Sequence, residues 1–155
     1  MQGAAVPVRC DRNAFLNRGV THGRFRANAA AMIQLLLVMV GGAFGTAARY
    51  LVGRGAVAAF GPIFPYGTLA VNVIGGFAMG VLAGMLARIG GNENTRLLLG
   101  VGVLGGFTTF SSFSLEVVTK VERDAWATAL GYVLASVLGA VLALFAGLWL
   151  TRIAA

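Results

Sequence analysis

The chain has 155 residues, 58% of them hydrophobic and only 11% charged, with a mean hydropathy of +0.84. A chain this short and apolar cannot hide its surface inside one small water-soluble core, which excludes an ordinary soluble domain and points to an integral membrane protein. The net charge of +7 invites a nucleic-acid or lipid-surface partner, yet five of the twelve basic residues precede the first apolar stretch, so the excess is mostly tail and no nucleic-acid partner is expected.

Those five are Arg9, Arg12, Arg18, Arg24 and Arg26, in a polar N-terminal segment over residues 1–31. The segment reads as disordered, as a cytoplasmic extension facing anionic lipid, or as an over-extended start upstream of a true initiator at Met32; the last is favoured because a complete span follows Met32. It lacks the order of a cleavable signal peptide. Cys10 and His22, the only residues of their kinds, both lie there, so no intrachain disulfide and no Cys/His metal site is expected.

Residues 32–155 form the transmembrane domain. Apolar runs near bilayer length predict four spans, Met32 to Val52, Tyr66 to Arg88, Thr95 to Val118 and Ala125 to Leu150, joined by three short connections. Buried helices of a soluble bundle would show a polar face, and these runs show none.

Span one sets Gly41, Gly45 and Arg49 at spacing four on one stripe, a surface that lets another backbone approach closely. The guanidinium of Arg49 reads either as snorkelling to the headgroups or as a fixed positive charge at the mouth of an aqueous vestibule. Span two repeats the device with Asn72, Gly76, Gly80 and Gly84. The amide of Asn72 is costly in lipid without partners; it reads as interhelical glue or as a pair of donors for an anion.

Span three carries the most informative run, Gly105-Gly106-Phe107-Thr108-Thr109-Phe110-Ser111-Ser112-Phe113. Glycines weaken the helix and four hydroxyls can satisfy released backbone groups, so the run predicts a broken helix lining an ion site. Freed carbonyls attract a hard cation such as Na⁺, and two such breaks facing each other across a dimer axis would supply a cage without any acid. Phe110 and Phe113, three apart, read as core packing or as ring edges turned to an anion, and Glu116 follows on the same face. In span four Tyr132 and Ser136 share a face, with Ala140 next; they read as a polar track or as locally bonded hydroxyls. Trp126 and Trp149 bracket this span about 34 Å apart at ~1.5 Å per residue, an indole near each interface.

With the tail set aside, one side carries Arg88, Arg96 and Arg152 and the other Arg54, Lys120 and Arg123. Such a balance leaves the positive-inside rule little to act on and predicts insertion in both orientations. No carboxylate pair, activated nucleophile or phosphate-binding motif appears in the spans, so no enzyme is expected.

Taken together, Gly41-Gly42-Ala43-Phe44-Gly45 with Arg49-Tyr50, then Gly67-Thr68-Leu69-Ala70-Val71-Asn72, then Gly105 to Phe113 resemble the signature of the CrcB/Fluc family of bacterial fluoride channels. The likeness covers all four spans from Met32 onward; the tail departs from it. It implies an all-α protein of the bacterial plasma membrane that exports fluoride passively, built as an antiparallel, dual-topology homodimer with Na⁺ at its centre. The resemblance makes the backbone carbonyls of Gly105 and Thr108 the sodium ligands, Asn72 the pore amide, and Phe110 and Phe113 the aromatic contacts. It makes Tyr132, Ser136, Thr109 and Ser112 the polar track, with Glu116 near one end and Arg49 near the vestibule. Ala140 stands where some relatives carry a hydroxyl. The physics suits a strongly hydrated anion, which needs neutral donors along its path because a cation inside would hold it too firmly. Two alternatives are a proton-coupled four-span drug exporter, which needs an embedded carboxylate and finds only Glu116, and a non-transporting scaffold, which leaves the hydroxyls and Asn72 unexplained.

Overall fold

The computed structural model describes residues 12–153 and is helical throughout apart from short connections. Cys10 and Arg9 lie outside the described residues. Helix α1 is Arg12–Phe60, and the stretch of it long and apolar enough to cross a membrane is Ala29–Phe60. The other three such stretches are Tyr66–Ile89, Glu93–Glu122 and Trp126–Ile153. All four predicted spans therefore coincide with helices of bilayer length.

Span one runs eight residues further than expected, to Phe60 rather than Val52. Gly53 and Gly55 only weaken a helix, and Ala56, Val57, Ala58 and Ala59 carry it on. The stop comes at Gly61, whose φ of +77° is strained for any side chain, followed at once by Pro62. Helix α2, Tyr66–Ile89, ends the same way, with Gly90 left-handed and its N–H and that of Gly91 both returned to the Leu86 carbonyl.

The third span is a composite. Asn92 caps a single turn, α3 (Glu93–Thr95), by accepting the Asn94 N–H at 2.9 Å, and an exposed Arg96–Glu93 ion pair closes that turn. A π-helix, π1, follows over Arg96–Leu104, then one more α-turn, α4 (Gly105–Phe107). Thr108 is extended, with φ −79° and ψ 160°, and helix resumes as α5 (Ser111–Glu122). Asp124, at φ +56°, turns the chain into α6, Trp126–Ile153.

Glycines set the helix contacts. On α2, a Cβ on Gly76 would come 2.5 Å from the Ala140 carbonyl oxygen, and one on Gly80 would overlap that of Leu144. From α6, Gly147 answers against the Phe77 carbonyl. Helix α1 meets π1 likewise: Gly41 lies against the Leu98 carbonyl and Gly45 against that of Val103. Backbone thus packs on backbone, where an apolar solvent gives side chains no hydrophobic incentive to associate. Outward surfaces stay apolar, with Phe44, Leu51, Leu142 and Phe145 all exposed, as lipid or another protein surface would require.

Candidate functional site

The site grows from the residues between α4 and α5. Thr108 closes the preceding turn, donating both its N–H and its Oγ1–H to the Leu104 carbonyl at 3.0 Å. Thr109 then leaves the helical pattern: its N–H donates to Asn72 Oδ1 at 2.9 Å, while its carbonyl accepts from Asn72 Nδ2 at 3.0 Å. One side-chain amide from α2 thus satisfies both polar groups of a non-helical residue, leaving a second Nδ2 N–H for another acceptor. The buried Thr109 hydroxyl accepts the Ser112 N–H at 3.3 Å and donates to Ser112 Oγ at 3.2 Å, holding the start of α5. Orphan N–H groups there carry partial positive charge into the same region.

Redirection of these donors has a counterpart in two acceptors. In a continuous helix the Gly105 carbonyl would accept from Thr109 N–H, and the Thr108 carbonyl from Ser112 N–H. Both donors go elsewhere. Thr108 O instead lies 3.4 Å from Arg49 Nη1, a long contact that leaves much of its acceptor capacity. Arg49 is thereby set against the interrupted segment. Two backbone oxygens released from helical bonding fit the donor type a hard cation takes. Among the described residues, no cluster of three or more His, Cys, Asp or Glu could hold a metal ion.

Phe110 is 77% exposed at the interruption, whereas Phe113 is buried. Their ring centroids are 5.6 Å apart at 45°, and Phe113 lies 5.3 Å from Tyr132, itself fully buried. The series continues to Phe64, edge-on to Tyr132 at 5.5 Å.

Glu116 joins three helices. Its Oε1 accepts from Thr68 Oγ1 of α2 at 2.7 Å and its Oε2 from Tyr132 Oη of α6 at 2.6 Å. Charge-assisted O–H···O⁻ bonds of that length are strong, so the carboxylate is a structural node as well as a polar site. One turn further along α6, Ser136 is 4% exposed and its Oγ has no partner. It does not bond the local backbone. A buried, unpartnered hydroxyl is uncommon, and its donor is left unused. Ala140 sits in the contact with Gly76, in backbone-to-backbone packing.

Beyond Glu116 a recess of about 1060 Å³ opens at the end of the helices; Phe64, Thr68, Glu116, Arg54, Lys120 and Arg123 are among its lining residues. Of the residues singled out from sequence, Asn72 and Thr109 are bonded directly, Ser112 is bonded to Thr109, and Phe110, Phe113 and Tyr132 form one aromatic run into Glu116. Thr108 directly precedes Thr109, and Gly105 lies one turn before it. Thr68, noted in the sequence only as part of the run Gly67 to Asn72, and Phe64 belong to the same constellation, and neither was given a role from sequence. Thr68 had a signal, sitting four residues before Asn72 on its stripe; Phe64, in a connection between prolines, had none.

A family model described as CrcB-like protein, Camphor Resistance (CrcB), matches residues 36–148. Over 121 residues the chain is 53% identical to a Mesorhizobium japonicum protein named fluoride-specific ion channel FluC, covering 78% of this chain and 98% of that one. Proteins of the same name from Caulobacter vibrioides and Phenylobacterium zucineum are 58% and 59% identical over 123 residues, 78% of this chain and 97% of each relative.

Proposed function

The chain belongs to the CrcB-like family, and on that premise we propose that it is a fluoride-selective channel, not an enzyme, that lets fluoride leave a bacterial cell passively across the plasma membrane. It is a multi-pass membrane protein, and its relatives' names supply the ion. The observation that carries the reading on this chain is the reciprocal pair of hydrogen bonds between Asn72 and Thr109 beside the exposed Phe110 ring. A desolvated small anion needs partners at each step yet must leave again. The spare amide N–H of Asn72, the positive edges of Phe110 and Phe113, and the hydroxyls of Thr109, Ser112, Tyr132 and Ser136 are neutral groups of that kind. Glu116 organises one end by fixing Thr68 and Tyr132. With both oxygens engaged, its carboxylate is a poor candidate for the proton-trading group of a drug exporter.

Two copies inserted in opposite senses complete the channel. The even charge balance supports this, as does the apolar surface left exposed along α1. Carbonyls of Gly105 and Thr108 from both copies would hold Na⁺, which when bound supplies a fixed positive charge that ties the interrupted segments together. The Asn72 bonds hold the segment open within one chain, so the carbonyls stay free of helical donors.

Liposomes loaded with fluoride or chloride and carrying the purified protein test the proposal. Fast, fluoride-selective efflux without a pH gradient is the expected outcome. Efflux that demands a proton gradient, or none at all, would reject it.

A further inference from the structure

Glu116 and Lys120 stand four residues apart on α5 in the order that most favours an ion pair, yet no such pair forms. The carboxylate is turned inward to Thr68 and Tyr132. Lys120 instead sets its Nζ 5.3 Å over the Phe64 ring, and Phe64 is edge-on to Tyr132. Among the described ion pairs the only one joins Arg96 to Glu93, so the Lys120 ammonium has no carboxylate partner while lining the recess that also contains Glu116. Arg54 and Arg123 line the same recess, giving three cations against one acid.

We infer that Lys120 is an anion-collecting group, a weak binding site for small hydrated anions at the recess from which they pass along Phe64 to the Tyr132 and Phe113 rings. The ring beneath it confines the long side chain and lowers the entropy lost when an ion arrives. Its position in the wide recess, and not among the buried hydroxyls, suits collection: the ion keeps most of its water and is released easily. An unpaired charge at a cleft mouth raises the local anion concentration, and salt screens the effect, since the Debye length falls from about 30 Å at 10 mM to about 3 Å at 1 M. Arg54 and Arg123 strengthen the field; Arg54 lies over the Tyr50 ring at 5.9 Å, whereas Lys120 is the cation seated over Phe64.

This inference rests on the channel reading, and the experiment separates the two. Initial fluoride efflux from liposomes at subsaturating fluoride is compared for the wild type, K120Q and K120R, at ionic strengths of about 10 mM and about 1 M, with gel filtration reporting the folded assembly. One unit charge several ångströms from the ion in water is worth about threefold in occupancy. K120Q should therefore be about threefold slower at low ionic strength, merge with the wild type at high ionic strength, and be rescued by K120R. The wild-type rate should itself fall as salt rises, a result that needs no variant. Equal rates for K120Q and wild type at low ionic strength, an equal deficit at both ionic strengths, or a wild-type rate indifferent to salt would overturn the assignment of Lys120 and leave the channel standing. Silent wild-type liposomes would overturn both.

Discussion

Glycine does opposite work in the α2–α6 contact and in the third span. Between α2 and α6, Gly76, Gly80 and Gly147 each face a carbonyl of the other helix, in two unbroken rods whose own hydrogen bonds stay intact. In the third span Gly105 and Gly106 precede a segment where helical bonding lapses and the backbone is held from outside, by Asn72 and by the Thr109 hydroxyl. The first region stabilises by removing side chains so that backbones approach. The second combines the two: Gly106 still packs against the Gly42 backbone, while Gly105 meets nothing closer than the Gly100 carbonyl at 3.7 Å and precedes the residues whose polar backbone groups find side-chain partners. Adjacency alone does not separate the two uses, since Gly41-Gly42 and Gly75-Gly76 are adjacent inside unbroken α1 and α2; what sets Gly105-Gly106 apart is the run of hydroxyls that follows.

Substitutions can break that contrast, and the largest effect belongs to the packed region. Gly80→Val puts three carbons where the Leu144 carbonyl already stands, overpacking that costs about 3 kcal/mol. Thermal unfolding in detergent should show a collapse of the folded fraction, and flux should vanish with it; a folded variant of normal melting temperature would refute the close contact. Asn72→Asp acts on the opening. It keeps the acceptor for Thr109 N–H but sets an oxygen against the Thr109 carbonyl, costing about 1–3 kcal/mol, and efflux should be abolished while the protein stays folded and elutes from gel filtration as the wild type does. Phe110→Ile touches little else, so efflux should fall roughly a hundredfold, the scale of losing one fixed partner to charge, with stability unchanged within about 0.5 kcal/mol. Retained full flux in both variants would remove these side chains from the path. Thr68→Val is the mildest. It strips one of two donors from Glu116, and efflux should drop only severalfold, with a stability loss of about 1–3 kcal/mol read from denaturation.

The four spans were legible because each apolar run is long and bounded by Gly, Pro or charge. The run from Gly105 to Phe113 announced a local weakness through adjacent glycines and clustered hydroxyls. The π-helix over Arg96–Leu104 was not legible, since Leu-Leu-Leu-Gly-Val-Gly-Val-Leu suits α-geometry as well and carries no signal for the wider winding. Pairings between distant residues were also hidden: Asn72 meets Thr109 across 37 positions and Thr68 meets Glu116 across 48, and no periodicity within a helix encodes either. Lys120 illustrates the converse. Local spacing favours a bond to Glu116, and the tertiary arrangement directs each group elsewhere.

The paired hydrogen bonds between Asn72 and Thr109 mean that the backbone of one residue meets a side chain as it would meet the next strand of a ladder, with donor and acceptor both matched. The interruption is thereby pinned at a donor and an acceptor together. On the channel reading proposed above, an ion passing beside it would meet a wall already set and would give up water rather than rebuild protein.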